Sequence, residues 1–207
     1  MGRILQSFVP AFFPSTGPVF AFLVGEAPGP RGADRSGIPF WGDRAGLPVY
    51  LCLEEAGLAV VPPAAYETWD GQRFRDLGLR PVLTGVALGN ALAVCPTSDG
   101  ERFRAPTNAE LKHPANLARL AGELGRARRE AAAGLTLFAL GRRAAWALAQ
   151  VDHGCSVEVL PHPSAQGLLQ AAPGRGLGLR LADLQAAWQA NLCRRLVQLR
   201  AETQRVR

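Results

Sequence analysis

Short apolar runs separated by helical patterns constrain this chain more than any other feature. Runs of β type recur at Val19–Val24, Val82–Val94, Leu135–Leu140 and Val157–Leu160. Between them, Gly46–Ala56 and the alanine-rich Gly141–Gln150 read as helices, and Thr107-Asn108-Ala109-Glu110 is a capping box opening a helix that runs toward Leu124. A single apolar stripe formed by Leu181, Leu184, Trp188, Leu192, Leu196 and Leu199 predicts a long C-terminal helix. Continuous apolar strands alternating with helices predict a parallel sheet covered on both faces. In such sheets the crevice lies beyond the carboxyl ends of the strands. Chemistry is therefore expected just after Val24, around Asn90, after Leu140 and after Leu160.

Those places hold the polar exceptions. Val24 leads into VGEAPGPRGADRSGIPFWGDRAG, which carries six glycines and three prolines around Glu26, Asp34, Asp43 and the pair Phe40–Trp41. Asn90 is an amide inside an otherwise apolar run, and Pro161-His162-Pro163-Ser164 follows the last strand. Large sequence separations notwithstanding, all three are expected at one end of the sheet.

The 207 residues suit a single domain, with residues 1–17 as an N-terminal arm and 181–207 as the closing helix. The formal charge of +6 rests almost wholly on arginine, Lys112 being the sole lysine, and favours an anionic partner, nucleic acid before membrane. Cys52, Cys95, Cys155 and Cys193 stand apart without a CxxC pair and read as reduced thiols of a cytoplasmic protein. Neither a leader peptide nor a membrane-length apolar run is read, the start being broken by Pro10.

Four segments, in order, resemble the uracil-DNA glycosylase superfamily. GEAPG with GIPFWGDRAG is similar to the first motif and base-stacking segment of the thermophile-type, iron–sulfur-bearing class. GNALAVCPTSDGERFRAPTNAEL is similar to the strand and loop carrying that class's uracil-reading Asn. LFALGRRAAWAL resembles the following strand–glycine–helix, and HPSAQG the His-Pro-Ser loop that enters the minor groove. The resemblance spans about Pro18 to Leu168. It implies a three-layer α/β/α fold with a central, mainly parallel four-stranded sheet, and a monomer that hydrolyses the N-glycosidic bond of uracil flipped out of DNA.

Two departures matter. With Asn90 and Pro96 matched, Val94 falls at the third cluster ligand, Cys95 one position late and Pro114 near the fourth, and the first thirty residues hold no Cys. No iron–sulfur cluster, metal or other cofactor is therefore expected. Ala27 also stands where the best-known class has a water-positioning Asp, with Glu26 just before it.

The resemblance assigns roles residue by residue. Phe40 stacks on the flipped base while Trp41 packs inward. Asn90 donates to uracil O4 and accepts from N3–H, a pattern opposite to that of cytosine. His162 donates to O2 as negative charge develops, together with an N–H of the loop around Ala27. Glu26 orients the water or ties the loop, with Asp34 as a further acidic candidate. Pro163 and Ser164 press on phosphates, and Gln166 or Leu168 fills the hole left by the base. Arg142 and Arg143, at a helix start beside the site, read either as backbone contacts or as solvated arginines. Three rivals stand beside this reading: a glycosylase for another deaminated or mismatched base, a catalytically weak DNA-binding member of the superfamily, and an α/β nucleotide-binding protein. The last lacks both a P-loop lysine and a GxGxxG after the first strand.

Overall fold

The apolar segment Ala21–Gly25 is buried at every residue, because it is paired along both edges and covered on both faces. A computed structural model, which describes residues 3–205, builds the rest around it. Along the chain run β1 (Ala21–Gly25), α1 (Ala33–Ser36), α2 (Leu47–Glu55), β2 (Ala59–Val60), α3 (Gly71–Asp76), β3 (Val82–Leu83) and β4 (Val86–Asn90). There follow α4 (Asn108–Lys112), α5 (Pro114–Arg129), β5 (Thr136–Leu140), α6 (Arg142–Leu148), β6 (Ser156–Leu160), α7 (Ala165–Ala171) and α8 (Leu181–Arg205). Four strands form one sheet in the order β4-β1-β5-β6, and every pairing is parallel.

Side-chain alternation assigns the two faces. Ala21, Leu23, Val86, Leu88, Phe138 and Leu140 turn toward α2, α7 and α8, while Phe22, Val24, Ala87, Leu137 and Ala139 turn toward α5 and α6. The result is a three-layer α/β/α architecture, as the sequence led us to expect. The C-terminal helix follows its predicted stripe, burying Trp188, Leu192, Cys193 and Leu196; residues 206 and 207 of the expected span lie outside the described residues. No helix among the described residues is long and apolar enough to cross a membrane.

Two expected elements are corrected. Val82–Val94 is not one strand. Gly85, at φ +75°, turns the chain where a side chain would strike the Phe20 ring. Val82–Leu83 then pairs antiparallel with β2 in a separate ribbon, leaving Val86–Asn90 to the main sheet. The capping box forms, Thr107 and Glu110 satisfying each other's backbone N–H, but its helix stops at His113. That residue precedes Pro114 and sits at ψ 129°, since a proline disfavours helical geometry in the residue before it. A new helix starts at Pro114.

The arm also has a defined job. Phe12 exchanges two backbone hydrogen bonds with Leu88 (2.7 and 2.9 Å), so it covers the outer edge of β4, where unpaired backbone groups would otherwise face solvent. Fully buried Asp34 accepts from the N–H groups of Leu5 (2.7 Å) and Ser7 (2.8 Å). Asp34→Ala should therefore lower unfolding free energy by about 3–6 kcal/mol, the loss of two hydrogen bonds to a carboxylate acceptor. Urea denaturation measures it, and limited proteolysis should cut first within residues 3–17.

Candidate active site

The parallel register sets the last residues of the strands side by side. Gly25 lies opposite Asn90, and Leu140 opposite Leu160. All the predicted crevice segments therefore leave the same edge of the sheet. Ala91 N–H and Leu92 N–H donate to the carbonyls of Gly25 and Glu26 (2.8 and 2.9 Å), which binds the turn after β4 to the loop after β1.

One half of the site closes over Gly25. A Cβ there would stand 2.8 Å from Asn90 Oδ1 and 2.8 Å from Phe40 Cε1, closer than real Cβ contacts come. Glycine is thus what lets an amide and an aromatic ring meet over the strand end. Asn90 is 3% exposed, and its Nδ2 is buried without a hydrogen-bond partner. Phe40 holds a left-handed backbone (φ +65°), a conformation costing about 1–2 kcal/mol for a residue with a side chain. Several bonds hold it there. Asp43 N–H donates to the Phe40 carbonyl (3.3 Å), and Tyr50 Oη donates to the carbonyl of Pro39 (3.0 Å). Trp41 is fully buried, as expected, against Tyr50, Trp69 and Phe74.

The other half closes over Gly141, at φ +102° between β5 and α6. A Cβ there would lie 3.0 Å from Glu26 Oε1 and 3.2 Å from His162 Cβ, so Glu26 and His162 flank the same bare backbone. The His-Pro-Ser sequence fixes the imidazole. Ser164 N–H donates to His162 Nδ1 (3.2 Å), and Ser164 Oγ lies 3.0 Å from the same atom while capping Gly167 N–H (3.1 Å). A backbone N–H only donates, so Nδ1 is an acceptor and the neutral ring carries its proton on Nε2. Burial holds this ring neutral down to about pH 4. Burial raises the Glu26 carboxyl above its ordinary value, opposed by the Arg143 guanidinium. Arg143 is itself tied to the Pro106 carbonyl (2.6 Å).

Not every expected residue faces the crevice. Leu168 is 4% exposed in the core beneath α7, so it cannot be the side chain that fills a gap in DNA; of the two candidates only Gln166 is exposed. The reason is local: Ser164 caps α7, and the fourth helical residue turns inward. Pro163 is buried too, and the Ser164 hydroxyl is committed to His162 and Gly167, so neither ring nor hydroxyl is presented to a phosphate. Asp34, engaged with the arm, is no candidate for orienting water. Ala27, Glu26 and His162 are half-buried at the mouth, and Arg142 is exposed beside it.

Sequence reasoning missed Asp43. This carboxylate gathers the N–H groups of Gly29 (3.2 Å), Gly32 (2.9 Å) and Ala33 (3.0 Å), folding the glycine-rich run onto itself, and burial pushes it up to about 6. An acid set among six glycines, with N–H groups to satisfy it, was the available signal.

The thiols do not suit the cluster of the class that the sequence resembles. Cys52 and Cys193 neighbour each other between α2 and α8, while Cys95 and Cys155 lie in separate loops. Among the described residues no three His, Cys, Asp or Glu side chains stand together as a metal site.

Fold and site thus define a three-layer α/β protein whose carboxyl sheet edge gathers a buried amide with an unpartnered Nδ2, a buried aromatic ring, a neutral imidazole and a carboxyl group. No protein-family model and no curated protein matches the chain.

The imidazole yields a pH prediction. The unfolded chain takes up this proton near pH 6.5, the folded protein only near 4. Acidification across that window therefore costs stability, and the loss is complete below about pH 4. Nitrogen-15 spectra of the histidines should show His162 as the Nε2–H tautomer with no titration between pH 8 and 5; a midpoint near 6.5 would overturn the assignment.

Proposed function

We propose that this protein is a DNA glycosylase that hydrolyses the N-glycosidic bond of uracil flipped out of DNA. The observation carrying the reading is the buried Nδ2 of Asn90, which has no partner among the described residues and stands beside the Phe40 ring. A buried donor left unsatisfied costs about 1–3 kcal/mol, which a ligand acceptor recovers. Uracil O4 is such an acceptor, and uracil N3–H suits Asn90 Oδ1. Cytosine presents an amino group and a bare N3 at those points, so the same amide rejects it. Base stacking on Phe40 adds about 1–3 kcal/mol.

Bond cleavage leaves positive charge on the sugar and negative charge on the departing base. His162 meets the second need as a neutral donor: its Nε2–H is aimed by Ser164 and supports the uracil anion at O2 without surrendering a proton. Glu26, which with His162 borders Gly141, is the group assigned to orient the attacking water. As a carboxylate it accepts a proton from that water as the sugar cation forms, and desolvation, by raising its pKa, makes it the stronger base. Arg142 and Gln166 are exposed and are assigned to hold the strand and to fill the vacated stack, and the charge of +6 favours the phosphate backbone. DNA is the partner, the protein acts as a cytoplasmic monomer, and no cofactor enters the chemistry.

Oligonucleotides carrying U, hypoxanthine, xanthine or a T:G mismatch, single- and double-stranded, test this through alkaline cleavage at the resulting abasic sites. Uracil should be excised. His162→Ala should slow single-turnover release by roughly two orders of magnitude, the usual cost of one oxyanion donor, while binding to abasic DNA stays close to wild type. Asn90→Asp should relax discrimination against cytosine, because a protonated carboxyl pairs with cytosine's edge. Wild-type rates in His162→Ala, or cleavage of another base with uracil left intact, would refute the assignment.

A further inference from the structure

Resting on the uracil reading, a question remains about what aims the Asn90 amide. Its Nδ2 bonds to nothing among the described residues, so no polar contact of that atom with them fixes its plane. The amide is held by packing over Gly25 and Phe40 and by the backbone on which it stands. That backbone is the last residue of β4, where a strand would ordinarily fray.

A largely buried polar network braces this point from α5. Arg119 Nη2 donates to two consecutive carbonyls, Asn90 O (3.0 Å) and Ala91 O (2.8 Å). Asn116 Nδ2 shares the Ala91 carbonyl (2.9 Å), and Asn116 Oδ1 in turn accepts from Arg119 Nη2 (3.0 Å). Glu123 fixes the far end of the guanidinium at 2.5 Å and also receives the Ala11 N–H of the arm (3.0 Å). Asn116, Arg119 and Glu123 lie three and four residues apart, on one face of a single helix. The side chains of Arg119 and Glu123 are only 14% and 13% exposed, which separates this pair from a solvated surface bridge.

We propose that Arg119 is a positioning residue for base recognition: its planar fork locks the carbonyls at the end of β4 and so fixes the direction in which the Asn90 amide meets the base. Guanidinium geometry suits the task, since one nitrogen reaches two adjacent carbonyls while the others are anchored. Arg119 touches neither base nor sugar; it acts through Asn90.

The test uses the full chain with Arg119→Met, which keeps much of the stem and removes the donors. Two readouts go beyond stability. The first needs no ligand: the Asn90 Nδ2 proton pair is identified in a nitrogen-15 spectrum by its absence from Asn90→Ala. It should be a single sharp pair in the wild type and broadened or multiple in Arg119→Met. An unchanged pair would overturn the proposal. The second is affinity for free uracil, measured as competitive inhibition of cleavage of a uracil oligonucleotide. Arg119→Met should weaken it about tenfold, the scale of one charge-assisted hydrogen bond. Combined with Asn90→Ala it should cost no more than Asn90→Ala alone, because a residue acting through another is not additive with it. Additive losses would show that Arg119 serves only general stability. If Arg119→Met does not fold, Arg119→Lys, with one donor nitrogen at the end of a flexible stem, replaces it in the same cycle, with a smaller loss expected and the same non-additivity. A wild-type protein that neither cleaves nor binds uracil would sink the functional reading, yet the spectrum would still decide whether Arg119 orders the amide.

Discussion

The parallel ladder between β1 and β4 is the constraint on which the rest depends. It sets Gly25 directly opposite Asn90, and the continuation of the sheet brings Leu140 level with Leu160. Slippage by one residue would turn the Asn90 side chain to the other face of the sheet. Because the strands all run one way, four loops must leave along one edge and share its space. Two glycines make that sharing possible. Gly25 leaves room for Asn90 and Phe40 to converge, and Gly141 does the same for Glu26 and His162. The two halves are joined through the peptide from Gly25 to Glu26, so a displacement in one is felt in the other.

Electrostatics inside the crevice follow from burial more than from paired charge. Desolvation raises Glu26 and lowers His162 to about 4, so both groups are pushed toward their neutral forms. Under the glycosylase reading a neutral imidazole suits the place where the base departs as an anion, because an imidazolium would lose the Nδ1 acceptor that Ser164 N–H requires. Asp43 is treated differently. Three backbone N–H groups meet its carboxylate, lowering a pKa that burial nonetheless pushes up to about 6. Its work is shape: it folds the glycine run so that the residue at 40 is delivered to the strand end.

What the sequence made legible was whatever depends on local pattern. Ala21–Gly25 and Thr136–Leu140 announce themselves because strands buried on both faces are apolar at nearly every residue. The Thr107–Glu110 box and the stripe from Leu181 to Leu199 follow from chemistry within one or two helical turns. Asn90 and His162 stood out as polar groups in apolar or proline-stiffened settings. What remained hidden depends on partners far away in the chain. Asp34 is bonded to residues 27 and 29 positions earlier, and Arg119 to a carbonyl 29 positions earlier. Neither partner is marked in the sequence, since backbone carbonyls and amides carry no residue signature. Leu168 was offered as the wedge because a His-Pro-Ser segment looks like a loop until the serine is seen as a helix cap, after which Leu168, the fourth helical residue, turns to the core.

Two unfavourable features are gathered at one place: an unbonded buried amide nitrogen and a left-handed phenylalanine. Together they amount to a few kcal/mol, a sizeable share of the net stability of an ordinary domain. A strand end relaxing toward solvent would relieve both, by letting water reach Nδ2 and Phe40 return to ordinary backbone geometry. The surroundings prevent that relaxation. The arm seals the edge of β4, Arg119 and Asn116 hold the carbonyls past its end, and Asp43 and Tyr50 pin the two sides of Phe40. Under the glycosylase reading this rigidity has a chemical use. An amide free to rotate by half a turn would exchange donor for acceptor and pair with cytosine as readily as with uracil. Discrimination then rests less on the amide than on the backbone and packing that deny it the second orientation.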